Sequence, residues 1–337
     1  MQGELIDPAL RDRFLRDWKR LTGSAFADRA LIAISGGPDS VALLVLFAAI
    51  KGAIDPPVAA TVDHGLREAS AEEARMAAEA CASFGIAHAT LKGTLPDRSA
   101  SSANLSARAR ALRYALLHRH AEQVGARWIV TAHHADDQLE TMIMRLNRGS
   151  GVRGLASIRG RSGAVVRPLL SWTRSELAAA ASHADMTPVF DPSNADPRFA
   201  RARLRADLAQ VDWLDARAVV RSAAALADAD EAIEWSLDRL AAERCCFQHG
   251  RATLEPACLP AEYQRRLAER CLRHVDPEIV LRGDEMGRLL DSLRGHRPAT
   301  LGNVRCGHAV LGSACPVICW MFEQAPPRGI ARPKEET

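Results

Sequence analysis

The 337-residue sequence predicts an α/β fold: a doubly wound parallel sheet, followed by a smaller C-terminal helical domain. Two observations carry this. From Leu31 to Asn147, short apolar runs alternate strictly with longer helical patterns, and strict alternation implies parallel strands joined by right-handed crossovers. Three polar clusters, at 35–40, 63–67 and 133–140, each follow directly on a strand pattern. Ligands gather at that end of such a sheet.

Residues 1–29 form an N-terminal segment in which Leu10, Phe14, Leu15 and Trp18 recur at helical spacing. The main domain, 30–212, opens with the strand Leu31–Ile34, which breaks at Ser35-Gly36-Gly37-Pro38-Asp39-Ser40. The apolar run then resumes as Val41–Leu46, a helix that packs back onto the sheet. Two glycines let the backbone approach a ligand. Two hydroxyls and the free N–H groups of a helix start complete an anion site, with phosphate its usual occupant. No lysine follows the glycines, so the loop is not of the G-x-x-x-x-G-K-S/T type, nor is it G-x-G-x-x-G.

Further along, 58–62 reads as a strand closed by Asp63-His64-Gly65-Leu66-Arg67. A helix at 69–84, a strand at 86–91, a basic helix at 104–124 and a strand at 128–132 follow. The next helix, Gln138–Asn147, comes just after His133-His134-Ala135-Asp136-Asp137. The Gly- and Arg-rich stretch 145–170 reads as a functional loop. Thr173, with Glu176 three residues on, caps a helix to Ala184. After a Pro/Asp/Asn-rich loop, a helix from Pro197 carries Arg198, Arg201, Arg203 and Arg205. Residues 213–298 hold three helical patterns (215–246, 260–274, 284–294) without strands between them, which predicts a separate helical domain. A short β hairpin region at 299–325 and a disordered tail at 326–337 complete the reading.

Composition narrows the function. Net charge is +3, but residues 101–210 hold sixteen Arg, no Lys and nine Asp plus Glu. A basic middle beside a phosphate loop suits an extended anion such as nucleic acid, although a solvated arginine-rich face would look the same. No apolar run approaches the roughly 18 residues of a membrane span, and the polar N-terminus lacks a signal-peptide core. A cytoplasmic protein with no membrane partner is expected. The eight cysteines include no C-x-x-C pair, which points to free thiols in a reducing compartment.

In the third cluster, Asp137 and Glu140 stand three apart at a helix start and share a face. Such a pair either complements the helix dipole or holds a cation, an ammonium group included. No further His/Cys set completes a transition-metal site, so the expected metal is Mg²⁺ carried in with the phosphate compound that the 35–40 loop binds, with no dedicated protein site.

Together these elements resemble the tRNA(Ile)-lysidine synthetase family of the PP-loop ATP pyrophosphatases, adenine nucleotide alpha hydrolase-like in fold. The resemblance rests on Ser35–Ser40, Val62-Asp63-His64-Gly65-Leu66-Arg67, Ala109-Arg110-x-x-Arg113-Tyr114 and Thr131–Thr141. It continues through Arg148-Gly149-Ser150-Gly151, Arg167-Pro168-Leu169-Leu170 and Asp191-Pro192-Ser193-Asn194. Ser106 and Arg201-Ala202 depart from the family pattern.

The resemblance implies an enzyme that uses ATP to adenylate the wobble cytidine of an isoleucine tRNA with a CAU anticodon. Free lysine then displaces AMP. ATP would be bound by Ser35, Gly36, Gly37, Pro38, Asp39, Ser40, Asp63 and His133, with Asp39 orienting the loop or the Mg²⁺. Lysine would bind Asp137 and Glu140, and Arg110 and Arg113 would meet the cytidine and the α-phosphate. Asp39, Arg113, Asp137 and Glu140 would carry the catalysis. Arg110, Arg113, Arg148, Arg153, Arg201 and Arg205 would face tRNA. A homodimer is compatible with the sequence and not required by it. A cytidine thiolase, the nearest rival, usually carries cysteines beside its site, and none lies between Cys81 and Cys245. A nucleotide or NAD synthetase would share the loop without needing the arginine-rich middle. A non-catalytic nucleotide-binding or RNA-binding module would have no use for Asp137 and Glu140.

Overall fold

The computed structural model describes residues 6–23, 28–63, 69–94, 102–182, 198–281, 283–311 and 316–326. The chain divides into two compact units, Met1–Asp228 and Ala229–Thr337.

Six strands form the sheet of the first unit: β1 (Ala30–Ala33), β2 (Val58–Asp63), β3 (Ala87–Lys92), β4 (Trp128–Val130), β5 (Arg161–Ser162) and β6 (Val165–Val166). Their order is β3-β2-β1-β4-β6-β5. All neighbours are parallel except β5 and β6, which form a small antiparallel hairpin. Around the sheet lie α1 (Pro8–Thr22), α2 (Pro38–Ile50), α3 (Ala69–Ser83), α4 (Ser102–Gln123), α5 (Ala135–Leu146), α6 (Val152–Leu155), α7 (Arg174–Ala181) and α8 (Ala200–Leu208).

β1 can lie centrally because Ala30, Leu31 and Ile32 are all apolar, so both of its faces tolerate cover. The pleat sends Ala30 and Ile32 into one core with Trp128, Val130 and Val166. It sends Leu31 into the other, with Ile129, Val165 and Leu117 of α4. α2 is apolar all round, and every residue from Val41 to Ala48 is buried. A helix of that kind must be enclosed, and α1 and α7 enclose it. Phe47 meets Phe14 and Trp18 edge-on at 5.1 and 5.2 Å. The C-terminal half of α2 is thereby anchored against α1.

The strands after β1 step to one side, β2 then β3, whereas β4 returns to the other side of β1. This switch point brings the turn after β1 and the turn after β4 to the same end of the sheet. Two readings are corrected here. The stretch 145–170 is not only a loop, since it contains α6 and the strand pair β5–β6. Two-residue strands are too short to show periodicity, and β6 is set by pairing with Ile129 and Val130.

The second correction concerns 213–298. α9 (Ala216–Arg244) runs into β7 (Cys245–Gln248) and β8 (Arg251–Leu254), followed by α10 (Ala261–Val275) and α11 (Glu285–Arg294). The stretch is therefore not strand-free. With β9 (Ala299–Leu301), β10 (Val304–Leu311) and β11 (Val317–Gln324), these strands form one antiparallel sheet, β7-β8-β11-β10-β9. The helical stretch and the hairpin region thus share a core of Leu267, Leu272, Leu290 and Leu293 against Leu254, Val304, Trp320 and Phe322. β7 gave no signal because three of its four residues are exposed. His64–Arg67, Asp191–Asn194, the Ser106 side chain and the tail from Pro327 lie outside the described residues.

Replacing Phe47 by Ala should lower the unfolding free energy of the first unit by about 3–5 kcal/mol, read as a shift in the midpoint of urea denaturation.

Candidate active site

The turn after β1 is built around Ser40. Its Oγ donates to the Gly37 carbonyl (2.8 Å) and accepts from the Ser35 N–H (3.2 Å), with the Ser35 hydroxyl 3.3 Å away. Gly36 takes φ +80°, which a side chain would strain. Gly37 caps α2 without any side chain on the free N–H groups. Ser40 is buried and Ser35 exposed. Ser40 therefore shapes the loop, while Ser35 and the helix start are open to an anion.

His134, 1% exposed, stands at the entry to α5. Its Nε2 lies 3.4 Å from Asp39 and 3.6 Å from Asp137, and its Nδ1 lies 3.2 Å from Asp136. Burial opposes a charge on the ring, but the Asp136 and Asp39 carboxylates outweigh it and raise the pKa to about 9. An imidazolium therefore ties the phosphate loop to α5. Asp136 also accepts the Arg174 N–H at 2.9 Å, which secures the start of α7. Burial would raise the Asp136 carboxyl, yet these partners hold it near 2. The Thr173–Glu176 capping box is present as read.

His133 behaves in the opposite way. Burial pushes it down to about 4; Asp137 opposes the shift, and Arg167, Arg110 and Arg201 reinforce it. The ring is neutral, with Nδ1 2.8 Å from the Thr131 hydroxyl.

The acidic pair is occupied from within the chain. Arg201 donates to Asp137 Oδ1 and to Glu140 Oε2, both at 2.7 Å. Arg205, one turn along α8, grips Glu140 in a fork at 2.6 and 3.0 Å. The Glu140 side chain is only 3% exposed, whereas those of Arg201 and Arg205 are 42% and 32% exposed. Burial would raise the Asp137 carboxyl, but the His134 and Arg201 charges and the His134 backbone N–H hold it below the usual carboxylate range. Sequence reasoning set these arginines toward one substrate and the carboxylates toward another; in the fold they face each other.

The other expected residues are spread around this centre. Asp63 ends β2, and its carbonyl accepts the Gly93 N–H at 3.0 Å. Arg110 is exposed on α4 over the Tyr114 ring (5.0 Å), near enough to depress His133. Arg113 is exposed on the same helix, and among the described residues no contact joins it to the phosphate loop or the acidic pair. Arg148 and Arg153 are exposed at and beyond the end of α5.

The loop beyond them is pinned. Arg145 donates to the Gly154 and Ser157 carbonyls, Gln138 brackets Ile158 at 2.7 and 2.9 Å, and buried Arg167 donates to the Arg159 carbonyl at 2.8 Å. Sequence reasoning missed His134 as the link, Arg167 as a buried cation and Arg174 beside Glu140 (3.9 Å). Only the paired histidines hinted at any of these.

The folded pKa of His134 is raised above its ordinary value of about 6.5. Its stabilisation is fully present below that pH and is lost as pH rises through about 9. Unfolding free energy should therefore fall by up to on the order of 3 kcal/mol across this window, and His134→Gln should abolish the decline in denaturant titrations.

Residues 10–212 match the family model described as a PP-loop domain. The chain is 42% identical over 331 residues to the tRNA(Ile)-lysidine synthase of Novosphingobium aromaticivorans, covering 96% of each chain. It is 37% identical over 341 residues to the enzyme of that name from Zymomonas mobilis, covering 97% of this chain and 98% of the relative. In structure it resembles a U34-tRNA thiolase from Methanococcus maripaludis (TM-score 0.52, 16% identity, 64% of this chain and 78% of that one), a likeness of fold alone. Over nearly its whole length, then, the chain belongs to the tRNA(Ile)-lysidine synthase family and is built on a PP-loop domain.

Proposed function

We propose that this ATP-dependent ligase joins free lysine to C2 of the wobble cytidine in the CAU anticodon of tRNA(Ile), through an adenylated tRNA. The observation that carries the reading is the His134 bridge, which couples a phosphate loop to a paired-carboxylate site. Relatives bearing the synthase name align along nearly the whole chain.

In the first step the cytidine O2 attacks the α-phosphorus of ATP, and the bond to the β-phosphate oxygen breaks. Charge grows on the departing pyrophosphate, where Ser35 and the N–H groups at Gly36 and Gly37 stabilise it. Asp39, a third exposed, would hold the Mg²⁺ that ATP brings, whose charge would offset that of the phosphates. Asp63 and His133 line the nucleoside side, the neutral His133 ring adding no charge there.

In the second step lysine arrives as an ammonium, its amine pKa being about 10.4. Asp137 and Glu140 bind that cation, and one of them takes its proton. The freed lone pair forms the C2–N bond, the C2–O bond breaks, and AMP leaves. The product, lysidine, reads AUA in place of AUG, and the tRNA changes identity from methionine to isoleucine.

Because Arg201 and Arg205 hold the two carboxylates, lysine must displace a guanidinium. RNA phosphate is the natural acceptor for the displaced group. Arg110, Arg113, Arg148 and Arg153, all exposed, would meet further phosphates of the tRNA.

With ATP and radiolabelled lysine, label should pass to a CAU-anticodon isoleucine tRNA and not to elongator methionine tRNA. Absence of transfer while ATP still binds would overturn the assignment. Asp39→Ala should abolish adenylation, measured as pyrophosphate release. Glu140→Gln should raise the KM for lysine by roughly tenfold or more, the loss expected when a charge-assisted contact goes. An unchanged lysine dependence would remove Glu140 from the lysine site.

A further inference from the structure

Asp137 and Glu140 are closed by the chain's own side chains, and from more than one direction. Arg201 spans the two carboxylates, at 2.7 Å from each. Arg205 holds both oxygens of Glu140, at 2.6 and 3.0 Å, and Arg174 stands 3.9 Å from the same carboxylate. Each Glu140 oxygen therefore already accepts a guanidinium N–H. With its side chain almost wholly buried, Glu140 presents no open face to an ammonium group.

Charge gives a second reason why lysine alone does not enter. Asp39, Asp136, Asp137 and Glu140 bring four negative charges, and His134, Arg174, Arg201 and Arg205 bring four positive ones. Free lysine carries a net positive charge at neutral pH. Added to a balanced and largely desolvated set, that charge would have no partner. A phosphate restores the balance, because it accepts the guanidinium that the carboxylates release.

The two arginines are placed for this exchange. They stand four apart, one turn along α8, and both remain in contact with solvent. α8 buries none of its nine residues, so no core position is given up when its arginines change partners. Arg205 also lies within electrostatic reach of the Asp39 carboxylate, and Asp39 belongs to the phosphate loop. We propose that Arg201 and Arg205 form an autoinhibitory latch, which keeps Asp137 and Glu140 shut to lysine until phosphate draws the guanidiniums away. ATP and the RNA backbone both supply that chemistry, an oxygen anion that accepts a guanidinium fork. The proposal rests on the functional reading above and adds its regulation: lysine is admitted only beside a substrate with which it can react.

Equilibrium dialysis of radiolabelled lysine against the full chain tests the latch in four arms. These are the protein alone, with an ATP analogue that cannot be cleaved between the α- and β-phosphates, with a CAU anticodon stem–loop RNA, and with both. Lysine affinity should rise roughly tenfold or more when phosphate is supplied. A rise with the analogue alone assigns the phosphate to ATP, and a rise that needs RNA assigns it to the backbone. Saturating lysine should tighten the same phosphate compound by the same factor, since such coupling is reciprocal. Arg205→Gln should strengthen lysine binding to the protein alone and shrink the rise severalfold. An affinity lost alike in every arm would mark a merely structural arginine and overturn the proposal. Equal lysine affinity in all four arms of the native protein also overturns it, whether or not the variant folds, and leaves the functional reading standing. If the analogue binds and lysine binds in no arm, the functional reading falls and the latch with it.

Discussion

The site depends on one buried charge. Asp39, Asp136 and Asp137 all approach the His134 ring within 3.2–3.6 Å. Three carboxylates so placed would repel one another around a neutral imidazole. With the ring protonated, the same arrangement becomes a lattice of opposed charges, and removing any one member would leave an uncompensated charge in a desolvated place. The helices reinforce it. Asp39 lies in the first turn of α2, Asp137 accepts the His134 N–H at the start of α5, and Asp136 accepts the first N–H of α7. Three helix N-termini thus converge on the acidic side chains, and their dipoles offset part of the negative charge. The phosphate loop cannot move relative to α5 without breaking this contact.

A second constraint follows from the burial of Glu140. A carboxylate only 3% exposed must be paired, and without a substrate the chain supplies the partners, Arg201 and Arg205. The two arginines remain 42% and 32% exposed, so they can exchange partners, whereas Glu140 cannot be left bare. In the proposed reaction this makes lysine and RNA complementary. An incoming ammonium replaces a guanidinium on the carboxylates, and an incoming phosphate accepts the guanidinium that leaves. The charge inside the site stays balanced throughout.

How far the fold was legible follows from the range of each interaction. The loop at 35–40, the shared face of Asp137 and Glu140 and the Thr173–Glu176 cap are local, set by residues a few positions apart, and the spacing displayed them. The partners of Glu140 lie 61 and 65 residues away, which no spacing rule reaches. β6 is two residues long, and β7 is mostly exposed. Neither has a period to detect, and both exist because a neighbouring strand offers an edge. His134 escaped notice for a different reason. Sequence marks a histidine pair but not which ring the fold will bury among carboxylates.

Arginine clustering needs the same correction. The middle of the chain holds sixteen Arg and no Lys, which invites a nucleic-acid reading of the whole set. Several of these arginines are committed inward: Arg145 and Arg167 to backbone carbonyls of the 154–159 loop, Arg201 and Arg205 to carboxylates. A planar fork of donors serves those tasks as well as it serves phosphate. Of the arginines expected to face tRNA, Arg110 and Arg113 on α4 and Arg148 and Arg153 at and beyond the end of α5 stand on exposed surface, whereas Arg201 and Arg205 can meet phosphate only by leaving their carboxylates. Of the exposed four, Arg148 lines a largely apolar groove with Ile143, Met144, Leu146 and Leu204.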